Sequence, residues 1–129
     1  MTSGRIVIPL EKYGVAGEVI MSYPGFKKAQ IAEAKSMALA VKFVDGEQQI
    51  DMERGYFAAL EKASYFIESA PSKISGYESL LDLLDTVDKT CNGGGQDLME
   101  AILKGMQDII DGRSSPFVKS PGAVTGKSG

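Results

Sequence analysis

One break constrains this chain more than any other feature. At Tyr23-Pro24-Gly25-Phe26 the apolar pattern changes period. Before the break, apolar residues alternate with other types, as in a half-buried strand. After it they recur at helical spacing almost to Gly112. From Arg113 onward the chain is rich in Pro, Gly and Ser and carries no acidic residue. This layout predicts an α+β fold, mainly α. A β-hairpin over about 5–23 precedes a compact bundle of four helices at about 26–44, 48–69, 76–91 and 96–111. Residues 1–112 form a single domain in this reading, and 113–129 a flexible, disordered tail.

The local signals behind those ranges are specific. Arg5-Ile6-Val7-Ile8 is short and β-branched. Pro9 cannot donate to a ladder, so the strand belongs at a sheet edge or ends there. Val15, Val19, Met21 and Tyr23 share one face of a second strand, with Glu18 and Ser22 on the other. A lone hairpin is marginal in water, so it must lie on the helices or pair with another chain. In the first helix Ile31, Ala34, Ala38 and Val41 form a stripe flanked by Met37, Ala40 and Val44, and the wide arc predicts the most buried helix. Asp45-Gly46 reads as its stop. Ile50, Phe57, Leu60 and Ile67 mark the second helix, which Pro71 ends. Ser75-Gly76-Tyr77-Glu78 reads as a capping box for the third. Asn92-Gly93-Gly94-Gly95 reads as a flexible link to the fourth, which Gly112 closes.

Composition narrows the chemistry. The chain of 129 residues has no histidine and one cysteine, Cys91. Histidine is the commonest general base at neutral pH and the commonest transition-metal ligand. Its absence rules out Ser-His and Cys-His nucleophilic chemistry within one chain and leaves a zinc site almost nothing but carboxylates. No metal site, no cofactor and no catalytic residue is expected, and the chain reads as not an enzyme. No apolar run approaches the roughly 20 residues of a membrane span, and Pro9 interrupts the one apolar segment near the start. Residues 1–112 hold all 17 acids and 11 of the 14 bases, so the body is acidic and the tail basic. An acidic body argues against sequence-independent binding to phosphate backbones. Neither nucleic acid nor membrane is an expected partner. The expected class is a soluble cytoplasmic protein that works through contacts with other proteins or with a second copy of itself.

Each motif has a plain and a sharper reading. Gly126-Lys127-Ser128 ends like a phosphate loop, but Pro121 stands where the motif needs glycine. Asp82, Asp85 and Asp88 recur every three residues opposite the leucines, as a solvated face does. Lys28, Lys35 and Lys42 stand seven apart, either as a solvated stripe or as a docking edge for an acidic partner. Cys91 lies on an apolar stripe, as a buried thiol does. Met37, Met99 and Met106 fall on core stripes. Met21, Met52 and Tyr23 could instead belong to an adaptable contact surface. Phe117-Val118, an apolar pair in a polar tail, reads either as an anchor for a partner's groove or as a segment folded back on the bundle. Met21, Tyr23, Phe117 and Val118 are therefore the candidate partner-binding residues.

The segment Val-x-Gly-Glu-Val-x-Met-x-Tyr-Pro, Val15 to Pro24, leads into a small acidic helical domain. In this it resembles the tail assembly chaperones of long-tailed bacteriophages. Those proteins coat the helical tape-measure protein before the tail tube polymerises. Many are made in two lengths by a ribosomal frameshift near the end of the gene. The commonest slippery heptamer can encode Gly-Lys, and Gly126-Lys127 stands near the end of this sequence. The resemblance implies a non-enzymatic chaperone in the host cell cytoplasm whose partner is the tape-measure or another tail protein. It carries over no catalytic residue. The alternative is a structural protein of the phage particle, in tail, baseplate or connector, whose hairpin and C-terminal arm make subunit contacts.

Overall fold

A computed structural model describes residues 5–50 and 54–118. The chain starts with strand β1 (Ile6–Pro9), a single 3-10 turn (Glu11–Tyr13) and strand β2 (Glu18–Met21). Helix α1 (Phe26–Ala40) runs directly into β3 (Val41–Val44) and β4 (Glu47–Ile50). Then come α2 (Gly55–Ser64), β5 (Ile67–Ser69), α3 (Gly76–Thr90) and α4 (Gly94–Val118). The fold is α+β and mainly α, with a strand pair ahead of four helices, as the change of period predicts. Among the described residues no helix is long and apolar enough to cross a membrane.

The first sheet has the order β1-β2-β5, antiparallel throughout. Pro9 pairs with Glu18 at the free edge, where its missing N–H breaks no ladder. Val19 and Met21 turn inward with no exposed surface, while Val7 on the opposite face stays about half exposed. The hairpin does lie on the helices. Gly105 of α4 faces Met21, where an added Cβ would stand 3.0 Å from the Met21 sulfur. Leucines from α3, Leu98 and Ile102 from α4, and Leu60 and Phe66 on and after α2 complete one core beneath this sheet.

Four boundaries differ from the sequence expectation, each for a physical reason. The second helix, expected from Gln48, starts at Gly55, because Glu47–Ile50 pair as β4 with β3 and Ile50 belongs to that strand. The first helix stops at Ala40 instead of Val44. Asp45 and Gly46 both have positive φ, 53° and 81°, which makes them the centre of a two-residue hairpin turn of the type that matches strand twist. Val41 pairs with Ile50 and Val44 with Glu47 around it. Asp-Gly is thus a hairpin turn between Val44 and Glu47 and not the expected helix stop. The second helix ends at Ser64 rather than near Pro71, because residues 67–69 leave it to pair with β2. The phenyl-bearing turn between them is tied down by the Ser22 N–H donating to the Phe66 carbonyl at 2.9 Å. The fourth helix continues past Gly112 to Val118, since Gly112 does not take the left-handed conformation that ends helices. Residues 119–129, the rest of the expected tail, lie outside the described residues.

The link between α3 and α4 is not loose. Gly95 is buried, and a Cβ there would meet the Leu84 carbonyl oxygen and the Asp88 Cβ at 2.9 Å. The glycines let the start of α4 press on α3. Asp88 in turn accepts a hydrogen bond from the Gly95 N–H at 3.0 Å, so one of the three exposed aspartates also caps a helix. Asp85 makes an exposed i,i+4 pair with Lys89 at 3.0 Å.

Candidate contact surface

The expected most buried helix is the least buried. Ala32 is the only fully buried residue of α1. The helix packs on α2 through Ala29, Ala32, Ser36 and Leu39, and Ala32 meets none of the central core. Small inward residues permit close approach, and two polar ties hold it. Ser36 Oγ donates to the Ala58 carbonyl at 2.7 Å, and Lys62 Nζ lies 2.7 Å from Glu33 Oε1. The stripe of Ile31, Ala34 and Ala38 expected in the core therefore points away from the body and is exposed. Met37 is 57% exposed, Ile31 37% and Phe26 73%. Met37 is thus a surface residue and not a core one. The hairpin β3–β4 continues this display, with Phe43 at 72% and Val44 at 39%. Lys27, Lys28 and Lys35 stand exposed on the same helix.

Beside α1 lies a cleft of about 370 Å³. Tyr23, Ala29, Gln30, Phe66 and Ile110 line it, with the Glu33–Lys62 ion pair among its walls. Tyr23 meets Phe66 edge to face at 6.2 Å. An apolar floor beside one charged pair has a lining suited to an inserted side chain.

One cluster of ionisable groups has shifted properties. The Tyr13 hydroxyl donates to Asp97 Oδ2 at 2.6 Å, Lys12 Nζ lies 3.4 Å from the same oxygen, and the lysine also sits over the Tyr13 ring at 5.2 Å. Burial, and then the bond to Asp97, push the Tyr13 hydroxyl up to about 12. The bond from Tyr13, then Lys12, hold the Asp97 carboxyl below its usual value. Both shifts carry the titration points further from pH 7, so at pH 7 the phenol stays protonated and the carboxylate ionised. Acid–base catalysis needs the opposite tuning. The cluster instead clamps the turn after β1 to the first turn of α4.

The residues singled out in the sequence separate widely. Met21 is fully buried under α4, which removes it from any surface: its strand position faces the core. Tyr23 is half-buried at the cleft. Phe117 and Val118 belong to the backbone of the last turn of α4. Met52 and Gly126-Lys127-Ser128 lie outside the described residues. Cys91 is half-buried against the core. Ser75 does not form the capping box. Its N–H donates to Ser79 Oγ at 2.6 Å, while Glu61 of α2, nearly buried, accepts the Tyr77 N–H at 3.0 Å. A carboxylate from another helix caps α3 in place of the local one. Among the described residues no three potential metal ligands of the His, Cys, Asp or Glu type converge.

The exposed side of α1 and the hairpin after it, Phe26 and Phe43 in particular, are not among the contact residues the sequence suggests. The signal was a helix with apolar residues on both faces, the smaller set being the packed one. Comparison with family models, with curated proteins and with solved structures finds no match to this chain.

Proposed function

We propose that this chain is a non-enzymatic tail assembly chaperone of a long-tailed bacteriophage, acting in the host cytoplasm to bind and shield the helical tape-measure protein. The observation that carries the reading is the apolar surface of α1 and the hairpin that extends it. Phe26, Ile31, Met37, Phe43 and Val44 together leave on the order of 500 Å² of side chain in water, given about 150–250 Å² for a large aromatic side chain. Exposed apolar surface of this extent, along one helix and the hairpin after it, is of the size that often marks an interaction site. The body already has a complete core without these residues, so folding alone does not account for them. The N-terminal hairpin leading into an acidic helical body supports the same reading.

Coexpression with the tape-measure protein of the same genome tests it. The expected result is a soluble complex of the two chains. A tape-measure protein equally insoluble with and without this chain would overturn the reading. The hairpin β3–β4 favours a second one, a structural component of the particle, because a two-stranded sheet is stable only when something joins it. Purified particles containing this chain in fixed copy number would establish that reading in place of the first.

A further inference from the structure

We infer that the outward face of α1 is the docking seam for an acidic amphipathic helix of a partner protein. The inference rests on the chaperone reading only in taking that helix to belong to the shielded protein. Its ground is the coincidence of two patterns on one exposed face. The first is spacing. Ile31, Ala34 and Ala38 step by three and four residues, the seam period of paired helices. Alanine at two successive seam positions lets another helix approach closely, while Phe26 and Met37 rise along one flank as larger contacts. At 15 residues α1 offers about 22 Å of seam, room for two heptads.

The second pattern is charge. Residues 26–44 carry Lys27, Lys28, Lys35 and Lys42 against a single acid, Glu33, in a chain whose net charge is -3. Glu33 is already engaged by Lys62. Among the described residues no carboxylate lies within ion-pair distance of Lys27, Lys28 or Lys35. Lys28 and Lys35, seven apart, line the flank of the seam opposite Met37, and Lys27 extends the seam itself toward the helix start. An occupant with apolar seam residues and Asp or Glu on its flank satisfies both patterns. A second copy of this chain does not. Antiparallel pairing of two α1 helices sets Lys28 and Lys35 against each other, a like-charge contact that disfavours the pair. Parallel pairing sets them against Gln30 and Met37 and gains nothing.

The probe is a 21-residue peptide of three heptads with Leu at both seam positions and Glu at both flanking positions. Its control carries Lys at the flanking positions. Both are titrated into the full chain by fluorescence anisotropy at low and at high salt. The expected result is binding of the Glu peptide at least tenfold tighter than the Lys peptide, a preference that shrinks at high salt. The double variant K28E/K35E should reverse the preference, and Ile31→Ser should weaken both peptides, each variant keeping the parent melting temperature. Equal affinity for the two peptides, or a preference unchanged in K28E/K35E, overturns the inference. So does a concentration-dependent dimer of the chain alone that Ile31→Ser dissolves, which would make the occupant a second copy. Cosedimentation with phosphatidylserine vesicles in place of peptide binding would make the occupant a lipid surface and overturn it equally. The two readings fail separately. If coexpression solubilises the tape-measure protein but K28E/K35E makes no difference, the chaperone reading stands and this seam falls. If the peptide preference reverses as expected but coexpression does nothing, the seam stands and the chaperone reading falls.

Discussion

Helices α1 and α3 are both 15 residues long, yet they hold opposite places in the molecule. α1 is the more apolar by count, with nine apolar residues against six. Even so α3 buries Leu80, Leu83, Leu84 and Val87, and α1 buries Ala32 alone. Size on the packed side decides this. α3 sends leucines into the core, where burying each side chain is worth about 1.5–3 kcal/mol. α1 sends in alanines, a serine and the half-buried Leu39, which stabilise less by burial but allow contact with α2 along the helix. Its other large side chains, Phe26, Ile31 and Met37, are left outside. α3 reads as a helix that holds the fold together, and α1 as one that the fold holds out to water.

That contrast can be broken or sharpened by measurement, beginning where the effect is largest. Gly95→Ala should destabilise the body by about 3 kcal/mol, because the new Cβ meets backbone oxygen that cannot move aside. Chemical denaturation should show the midpoint falling with the slope unchanged. A midpoint within error of the parent would mean that α3 and α4 are not pressed together there.

Next in size is a pH effect at the Tyr13 clamp. The folded protein holds the Tyr13 hydroxyl at about 12, above its ordinary 10.0. A raised value favours the protonated form in the fold. This stabilisation is complete below pH 10 and is lost as pH rises through 12, about 2–3 kcal/mol in all at 1.4 kcal/mol per unit. Tyr13→Phe should remove that alkaline slope. If wild type and Tyr13→Phe lose stability in parallel between pH 10 and 12, the clamp is not the cause. The lowered Asp97 adds a separate acid limb, present above 3.8 and lost as pH falls through the folded value.

Glu61→Ala should cost about 1 kcal/mol by leaving the Tyr77 N–H at the start of α3 without its acceptor. Glu61→Gln keeps an acceptor and should recover most of that in thermal melts. Equal losses for the two variants would show that packing, not capping, is what Glu61 supplies. The smallest effect is expected on α1. Met37→Ser should change stability by less than about 0.5 kcal/mol, since an exposed side chain off any special feature contributes little. A loss of 2 kcal/mol or more would place Met37 in a core and dissolve the contrast between the two helices.

The division also explains what could be read from the sequence. α3 was legible to within a residue, because its leucine stripe has one face to choose from. β1 and β2 were legible because Pro9 and the Val19–Met21 alternation leave one register. α1 was not, because helical spacing marks both of its faces and cannot say which one packs. β3 and β4 were hidden by the same ambiguity: Val41 continues the stripe of Ile31, Ala34 and Ala38 at the right interval, so the helix was read through a hairpin turn. β5 is three residues long and exists through its pairing with β2, a partner no local pattern names. Of the candidate contact residues, Met21 failed because a strand face is assigned by the sheet around it. The seven-residue spacing of the lysines is plain in the sequence, but its meaning depends on which side of α1 faces water.

The pairing of Met21 with Ile67 has a consequence for synthesis. A ribosome releases β1 and β2 first, but their third strand follows 46 residues later, after α1, β3–β4 and α2 have emerged. Until then the first strands are a two-stranded ribbon, too small to persist in water. The order of emergence is therefore not the order of consolidation. α1 and the second hairpin leave the exit tunnel before the structure that anchors them exists. The first strands settle only when Ser69 and then α4 arrive, so the nascent chain waits for its late segments before its early ones acquire a shape.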